Sequence, residues 1–252
     1  MAGRVWVVGL SKDRLVIANP WAALRAYTPA RIALGRAGNA LPTDEVLRFG
    51  LAHARARDAV HAALDTDALA TELRALGLEV RIVKSAAPDR ATYLLRPDLG
   101  RKLAQGCLLD RTPAPIALAI EDGLSAMAVQ RHAAPLLRAL IELAPQRWAG
   151  VPAVIALQGR VALGDEIGER LGARLIAVLI GERPGLSAPD SLGVYLTFEP
   201  RVGRRDAERN CLSNIRPEGL GYGEAARRLD WLAAAALARG KTGVALKDES
   251  IG

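Results

Sequence analysis

Two segments rich in glycine, proline and polar residues carry the side chains best placed for chemistry. Residues 179–192 run from an apolar stretch into a long loop, with the carboxylate of Glu182 at its mouth. Residues 206–219 follow the next apolar run and contain Cys211. Ligands of open α/β sheets bind outside the carboxyl ends of the strands, where glycine-rich loops let the backbone approach a bulky partner. We therefore expect the two segments to form one site.

Glu182 is the strongest candidate for a ligand contact in these segments. A carboxylate at the end of a buried strand must be solvated or paired. One interpretation is a surface loop in which Glu182 pairs with Arg183; the other is that its oxygens accept hydrogen bonds from amide N–H groups of a ligand. Cys211 is either a small buried filler, which is common for a free cysteine, or a contact through its backbone or sulfur.

The sequence lacks the fingerprints of phosphate-binding loops. The end of a P-loop motif is matched by Gly240, Lys241 and Thr242. That motif requires a glycine five residues before Gly240, where this chain has Ala235. No Gly-x-Gly-x-x-Gly motif follows a predicted strand, so a dinucleotide fingerprint is also missing. Gly240 is better explained as the end of a helix.

The acidic and imidazole side chains do not form a catalytic set. The acidic pairs fall where turns and first helical turns favour carboxylates: Glu121 with Asp122, and Asp165 with Glu166. The histidines fall inside predicted helices and are interpreted as surface or boundary residues: His53, His61 and His132. Two cysteines without paired Cys/His spacing indicate neither a disulfide framework nor a zinc site. We expect no catalytic residue and no metal site on this chain.

Composition predicts a globular protein without a nucleic-acid or membrane partner. Half of the 252 residues are hydrophobic and 24 % are charged, which excludes a disordered chain. The net charge is +7, but the basic residues are scattered and lack the interleaved aromatics of a single-strand binding surface. The apolar run at 5–10 is too short to span a bilayer and has no secretory cleavage pattern. We expect a cytoplasmic location.

Hydrophobic periodicity predicts an α/β fold. Helices are expected at 43–64, beginning with Thr43, Asp44 and Glu45, and at 65–77. Short apolar runs then predict strands at 80–83, 116–120, 154–157, 175–180 and 194–198. Further helices are expected at 125–143, 164–171 and 222–239. Strands this apolar indicate a sheet covered on both faces and built from parallel strand–helix–strand units.

The predicted fold class is therefore α/β, with a Rossmann-like, mostly parallel sheet flanked by helices and a helical N-terminal region. We predict three parts along the chain. They are an N-terminal arm at 1–20 with a short strand at 5–8, a helical region at 21–85, and a Rossmann-like domain at 86–252.

Several long segments resemble the light (small) chain of ethanolamine ammonia-lyase, an adenosylcobalamin-dependent enzyme. Besides the two segments above, they are 27–39, 41–47, 96–101, 122–126 and 159–168. The resemblance covers most of the chain from about residue 20. It implies a light subunit that joins a heavy chain to convert ethanolamine to acetaldehyde and ammonia. It also implies that cobalamin lies between the two chains and that the substrate site and the radical chemistry belong to the heavy chain.

The resemblance assigns three cobalamin contacts to this chain. Matching positions carry Val161 within 159–161, Glu182 within 180–185 and Cys211 within 210–214. Weaker candidates in the same loop are Gly185, Ser187 and Ser191. Because no histidine has the setting of a lower axial ligand, the cofactor's own base is expected to stay on cobalt. The region around Arg31 and Arg36 is expected to dock on the heavy chain.

Some questions stay open at this level. The main alternative is a free-standing Rossmann-like module that binds a nucleotide or another anionic ligand, which the basic pI and the glycine-rich loop favour. Some relatives are enclosed in a bacterial microcompartment, but the short amino-terminal end does not resemble an amphipathic targeting helix.

Overall fold

The computed structural model describes residues 19–250, and the chain divides into two compact units at Arg55/Ala56. The strand expected at 5–8, and the predicted arm apart from its last two residues, lie outside the described part. No helix within residues 19–250 combines the length and apolar character needed to cross a bilayer. The two predicted domain boundaries, at residues 20 and 85, stay predictions.

The first unit contains a short 3₁₀ helix and the start of helix α1. The 3₁₀ helix spans Ala22–Ala26, and α1 spans Thr43–His61 and crosses the division between the units. The predicted first helix is therefore confirmed from Thr43 onward, although it ends earlier than expected. Its first turn carries Glu45, which is buried and forms an ion pair of 2.9 Å with Arg25.

The second unit is built around a six-stranded mixed sheet. Its strands are β1 Glu79–Lys84, β2 Ile116–Glu121, β3 Pro152–Leu157, β4 Leu175–Gly181, β5 Leu192–Phe198 and β6 Arg209–Ile215. Its helices are α2 Thr66–Ala75, α3 Arg90–Leu95, α4 Ala126–Leu143, α5 Pro145–Trp148, α6 Leu163–Leu171 and α7 Tyr222–Arg239. The spatial order is β1-β3-β2-β4-β5-β6. The first four strands in that order pair in parallel, and β5 and β6 each pair antiparallel to the preceding strand.

Both faces of the sheet are buried, as the continuous apolar strands predicted. In β2, Ile116, Leu118 and Ile120 join the core cluster that also contains the apolar faces of α2, α4 and α7. Ala117 and Ala119 point the other way, into the cluster that contains the apolar face of α6. Because a strand alternates its side chains between two faces, one apolar strand supplies both cores.

Local capping fixes where the helices begin. The Asp65 carboxylate accepts from Ala68 N–H at 3.0 Å ahead of α2, and the Ser125 hydroxyl accepts from Ala128 N–H at 3.3 Å ahead of α4. Such caps satisfy backbone donors that have no partner inside the helix. The predicted helices near Asp65, Ser125 and Tyr222 are confirmed to within about two residues at their starts.

The prediction of parallel strand–helix–strand units is wrong for the last two strands. Residues 182–191 connect β4 to β5 without a helix, and this length is too short for a parallel crossover of a dozen or more residues. The chain therefore turns back, and β5 pairs antiparallel with β4. Residues 209–215, expected to be part of a polar loop, form β6 at the edge of the sheet.

The strand order places a topological switch point between β2 and β4. From β2 the chain adds β3 on one side, and it then returns to add β4 on the other side of β2. Connections that leave neighbouring parallel strands in opposite directions open a crevice at their carboxyl ends. This is the position at which ligands bind in doubly wound sheets.

Candidate functional site

A cleft of about 460 Å³ lies at this switch point. We call it the strand-end cleft. The segments that follow β2, β3 and β4 contribute most of its walls, and α3 and β5 contribute one aromatic side chain each. Its lining residues are Tyr93, Leu124, Arg160, Val161, Ile180, Gly181, Glu182, Arg183 and Tyr195.

Val161 reaches the cleft because the segment between β3 and α6 is held at several points. Gly159 N–H donates to Asp122 Oδ1 at 3.1 Å, and the Tyr93 hydroxyl donates to Gly159 O at 2.8 Å. Arg160 N–H donates to Gly100 O at 2.8 Å. These contacts fix the backbone immediately before Val161, so its side chain has a defined place in the wall.

Tyr93 supports the same segment through its ring. The guanidinium carbons of Arg160 and Arg90 lie 4.3 and 4.8 Å from the centre of this buried ring, within the range of cation–π attraction. Gly100 is required beside it, because a β-carbon there would lie 2.9 Å from the Tyr93 ring and 2.8 Å from Arg160 Cγ. The aromatic ring and the glycine therefore set the position of Arg160 in the cleft.

Glu182 joins the two segments that sequence analysis selected. Its N–H donates to Ser191 O at 3.0 Å, at the far end of its own loop. Its Oε2 accepts from Asn214 N–H at 3.1 Å, near the end of β6. The expected pairing of the two segments is therefore observed, and the interpretation of a simple Glu182–Arg183 pair does not describe the contacts of this carboxylate. A β-carbon on Gly193 would lie 3.1 Å from Glu182 Oε1, so this glycine provides the space for the carboxylate.

Cys211 lies beside the strand-end cleft rather than in its wall. It is an exposed free cysteine in β6, directly opposite Tyr195 of β5. Tyr195 lines the cleft together with Val161 and Glu182. The structure thus brings Val161 and Glu182 to one cleft. It places Cys211 on the neighbouring strand, opposite a residue that lines the cleft.

The weaker candidates stay outside the cleft wall. Gly185 N–H donates to Ala188 O at 2.8 Å, which closes a turn within the loop. Ser191 is buried, and its carbonyl is the partner of Glu182 N–H. Ser187 is exposed in the same loop. These residues shape the loop that carries Glu182, and their role as ligand contacts stays a prediction.

The structure corrects the interpretation of His132 as a surface or boundary residue, because this side chain is buried. It is 5 % exposed and its Nδ1 lies 2.8 Å from the hydroxyl of Tyr222. Its Nε2 lies 3.6 Å from Asp190 Oδ2, near the end of the loop after β4. Burial lowers the pKa of His132, and the Asp190 carboxylate opposes that change. The imidazole is therefore a packing group between α4, α7 and this loop.

Glu121 is the most unusual titratable group near the cleft. It ends β2 and is fully buried, and both carboxyl oxygens lack a hydrogen-bond partner among residues 19–250. Burial raises the pKa of the Glu121 carboxyl well above its ordinary value, and the nearby carboxylates of Asp122 and Asp165 raise it further. A β-carbon on Gly159 would lie 2.7 Å from Glu121 Oε2. Burial therefore favours the neutral form of Glu121, which lies beneath the segment that carries Val161.

Glu121→Gln is expected to remove a decline in stability with rising pH. The pKa of glutamate in an unfolded chain is near 4.3, and the pKa of Glu121 in the folded protein is higher. At pH values between these two pKa values, the folded protein binds one proton that the unfolded chain does not bind. Within that window the free energy of unfolding falls as pH rises, by up to about 1.4 kcal/mol per pH unit for one proton. Glutamine cannot ionise, so the wild-type decline should be absent from the variant.

Urea unfolding at a series of pH values from 5 upward measures this difference. Glu142→Gln, on the exposed surface of α4, is the matched control and should follow the wild type. A constant free-energy difference between wild type and Glu121→Gln at all pH values would show that Glu121 titrates normally.

Sequence analysis did not select three residues that line the cleft, namely Tyr93, Arg160 and Tyr195. One signal was available for Tyr195, an aromatic side chain with a polar hydroxyl in a mainly apolar strand. Tyr93 and Arg160 come from segments 67 residues apart in sequence and meet only through the fold. Their pairing leaves no periodic pattern in the sequence.

The fold and the cleft define an α/β protein with a cleft at the carboxyl ends of its strands, the position at which ligands of such sheets bind. Within residues 19–250, no group of three or more His, Cys, Asp or Glu side chains is arranged to hold a metal ion. A family model described as ethanolamine ammonia-lyase light chain (EutC) matches residues 18–247. The chain belongs to this family.

Curated relatives carry a corresponding name. The ethanolamine ammonia-lyase small subunit of Azotobacter vinelandii is 55 % identical over 241 residues, covering 92 % of this chain and 89 % of the relative. The protein of that name from Ralstonia nicotianae is 55 % identical over 242 residues, covering 92 % and 90 %. That from Pseudomonas syringae pv. tomato is 52 % identical over 248 residues, covering 95 % and 86 %.

Proposed function

We propose that this chain is the small subunit of an adenosylcobalamin-dependent ethanolamine ammonia-lyase, and that it holds one side of the cofactor at an interface with a heavy chain. The observation that carries the proposal is the meeting of Val161 and Glu182 in one cleft at the switch point. The family resemblance assigned both residues to cobalamin independently of the fold. The heavy chain carries the substrate site and the radical chemistry.

The chemistry of the cleft fits the edge of a corrinoid. When bound, adenosylcobalamin would supply the radical chemistry, and this chain would supply binding and orientation. A corrin ring is rimmed with amides, which need both acceptors and donors. Glu182 offers carboxylate oxygens, and Arg160 and Arg183 offer N–H groups. Leu124, Val161 and Ile180 provide the apolar surface beside them.

The dimensions of the cleft support a shared site. Pockets for drug-sized ligands measure roughly 300–1,000 Å³ and enclose most of the ligand. The strand-end cleft measures about 460 Å³, and a corrinoid is larger than a drug-sized ligand. This chain can therefore cover only part of the cofactor, and the proposed heavy chain covers the rest.

Each predicted contact has a distinct task in this proposal. Glu182 accepts a hydrogen bond from an amide of the ligand, using acceptor capacity beyond its bond to Asn214 N–H. Val161 excludes water from the ring face. Cys211 contacts the cofactor from β6, next to Tyr195. None of these tasks requires the chain to change the oxidation state of cobalt.

The N-terminal unit supports a docking role. Residues 21–51 expose large hydrophobic side chains: Trp21, Leu24, Tyr27, Ile32, Leu41, Val46, Leu47, Phe49 and Leu51. Exposed apolar surface of this kind marks protein interfaces. Arg31 lies over the ring of Phe49, with its guanidinium carbon 5.7 Å from the ring centre. We propose that this surface docks on the heavy chain, in agreement with the resemblance.

Three finer descriptions belong to the same proposal. The sheet order around β2 supports the description Rossmann-like, with two antiparallel strands added at one edge. The boundaries at residues 20 and 85, and the cytoplasmic location, are kept as predictions. Enclosure in a microcompartment was left open by the sequence, and a fractionation experiment can decide it.

Reconstitution tests the proposed function. Acetaldehyde release from ethanolamine with adenosylcobalamin is measured for this chain alone, for the heavy chain alone and for the two together. We expect activity only in the mixture. An assembled mixture without activity would point to another substrate, and failure to assemble would favour a free-standing binding module for an anionic ligand.

Glu182→Ala is expected to weaken adenosylcobalamin binding to the assembled complex by about 1–3 kcal/mol, the usual cost of leaving a buried donor without its partner. Glu182→Gln should lose less, because the amide oxygen can still accept from Asn214 N–H. Equilibrium titration of the cofactor absorbance measures both affinities, and urea unfolding tests whether the fold is retained.

Glu142→Ala is the matched control for this experiment, because Glu142 is an exposed carboxylate on α4 outside the cleft. It should bind the cofactor as the wild type does. Unchanged affinity of Glu182→Ala in a folded, assembled complex would remove Glu182 from the binding site.

A further inference from the structure

A second cleft of about 460 Å³ adjoins the strand-end cleft. We call it the arginine cleft. Arg160, Val161 and Tyr195 line both clefts, so one ligand can extend from the first into the second. The charged side chains around the arginine cleft are Arg101, Arg160, Arg204, Arg205 and Asp206.

Most of the positive charge in this cleft is not neutralised. Arg204 is paired, with its Nη1 2.5 Å from Glu208 Oε1. The Asp206 carboxylate lies 3.5 Å from Arg209 Nε. Three other guanidinium groups form no ion pair with any carboxylate in the described residues 19–250: Arg101, Arg160 and Arg205. Three unpaired cations in one cleft favour an anionic ligand.

Arg160 is fixed before any ligand binds. Its guanidinium carbon lies 4.3 Å from the centre of the Tyr93 ring, and its Nη2 donates a long hydrogen bond of 3.4 Å to Tyr93 O. Its Nε is buried and has no hydrogen-bond partner within residues 19–250. Because this Nε has almost no accessible surface, an oxyanion in the cleft would be bound by the terminal nitrogens of the guanidinium. A fixed guanidinium also loses little entropy when it binds.

We propose that the arginine cleft binds a phosphate group. Guanidinium groups recognise phosphate through paired, charge-assisted hydrogen bonds, and Arg101 and Arg205 can converge with Arg160 around one such group. Two sources supply this chemistry. If the proposed cobalamin role is correct, the source is the phosphodiester in the nucleotide loop of adenosylcobalamin; otherwise it is a free phosphate or phosphate ester.

The first experiment tests phosphate binding by the full-length chain alone. Inorganic phosphate is titrated at constant ionic strength against chloride, and amide chemical shifts and thermal unfolding are followed. We expect saturable shifts and a raised melting temperature with phosphate only. Arg101→Ala combined with Arg205→Ala should weaken this binding by about tenfold or more, because the double variant removes two exposed side chains that can donate charge-assisted hydrogen bonds to the phosphate.

Arg74→Ala combined with Arg138→Ala is the matched control. Both arginines are exposed, lie on α2 and α4, and form no ion pair with any residue that the structure describes. This variant removes the same net charge outside the cleft and should bind phosphate as the wild type does. Arg101→Lys combined with Arg205→Lys keeps the charge and should recover part of the affinity.

The second experiment identifies the source in the assembled two-chain complex. Adenosylcobalamin is compared with adenosylcobinamide, which keeps the corrin and its amides but lacks the phosphate. If the phosphodiester occupies the cleft, the Arg101/Arg205 variant loses about tenfold in affinity for adenosylcobalamin only, and inorganic phosphate competes with adenosylcobalamin. If a free phosphate ester is the ligand, the corrinoid affinities are unchanged and phosphate binds together with the cofactor.

Two outcomes would overturn the phosphate site, and a third would overturn only the cobalamin role. Phosphate that acts no differently from chloride, together with an Arg101/Arg205 variant that matches its control, excludes a phosphate site. Loss of heavy-chain assembly without any phosphate effect would reassign these arginines to a protein contact. Failure of the wild-type complex to bind either corrinoid, with phosphate binding intact, would reject the cobalamin role and leave the phosphate site standing.

Discussion

Asp165→Ala is expected to lower the free energy of unfolding by about 3–5 kcal/mol, because it leaves a buried charge without its partner. Arg209 Nη1 and Nη2 lie 2.6 and 2.7 Å from the two carboxylate oxygens of Asp165. Both side chains are 1 % exposed. Burial raises the pKa of the Asp165 carboxyl, and the two contacts with Arg209 oppose that shift.

The remaining partners of Arg209 cannot replace the carboxylate. Two of them are neutral acceptors, Thr197 Oγ1 at 2.9 Å and Arg204 O at 3.0 Å, and the third, Asp206 Oδ1, is an exposed carboxylate at 3.5 Å. Equilibrium urea unfolding measures the loss. Asp206→Ala is the control, because this carboxylate is 96 % exposed and its contact with Arg209 Nε is long, at 3.5 Å. Exposed ion pairs contribute about 0–1 kcal/mol, so the control should stay close to the wild type.

A double variant separates the cost of an unpaired charge from the loss of the pair itself. Asp165→Leu combined with Arg209→Met replaces both ions by apolar side chains, which proteins often tolerate better than a broken pair. We expect it to be more stable than Asp165→Ala alone. If the double variant is the less stable of the two, packing around the pair rather than charge explains the effect.

The pair also matters for the candidate site. Asp165 lies in the first turn of α6, four residues after Val161, and Arg209 begins β6, two residues before Cys211. Breaking the pair is therefore expected to loosen two of the predicted cobalamin contacts together. A cofactor titration on the folded fraction of Asp165→Ala should show weaker binding than Asp206→Ala.

Gly181→Ala is expected to prevent β4 from closing against the start of α4. A β-carbon at this position would lie 2.0 Å from Ser125 O and 2.7 Å from Asp122 O, and backbone atoms cannot move aside as a flexible side chain can. Overpacking in a close-packed core costs typically about 1–3 kcal/mol and occasionally more. With two backbone carbonyls in the way, we expect a cost at or beyond the upper end of that range.

Gly185→Ala provides the comparison within the same segment. A β-carbon on Gly185 would meet its nearest neighbour, Ala188 O, at 3.6 Å, which is ordinary contact. Its effect on the free energy of unfolding should be within about 0.5 kcal/mol, as for most surface substitutions. Thermal and urea unfolding of both variants test the contrast. Equal stability of Gly181→Ala and Gly185→Ala would mean that β4 and α4 are less closely packed than described.

Apolar periodicity was sufficient to predict most of the fold. Strands β1 to β5 coincide with the predicted runs, which are apolar apart from Arg81 in β1 and Thr197 in β5, and α7 begins and ends at the predicted residues. Strand β6 could not be found in this way. Only Leu212 and Ile215 are apolar and buried in it, and its first residue is the buried Arg209. The strand tolerates that cation because Asp165 lies opposite it, 44 residues earlier in the chain.

The candidate site was predicted in outline for a similar reason. Glu182 could be selected because a charge directly after a buried strand is a local feature of the sequence. The hydrogen bond from Asn214 N–H to Glu182 depends on the reversal of the chain between β4 and β5, which the sequence did not predict. Arg160 was missed as a lining residue because its position depends on Tyr93 and Gly100, two residues from distant segments.

The bond from Asn214 N–H to Glu182 links the edge of the sheet to the mouth of the cleft. Among residues 19–250, β6 is an edge strand of the sheet, and edge elements open locally at a lower free energy than the centre. Fraying of the end of β6 therefore removes a partner from Glu182, while a ligand bound at Glu182 stabilises the end of β6. Slowed hydrogen exchange of a single backbone amide, that of Asn214, would thus report that the cleft is filled.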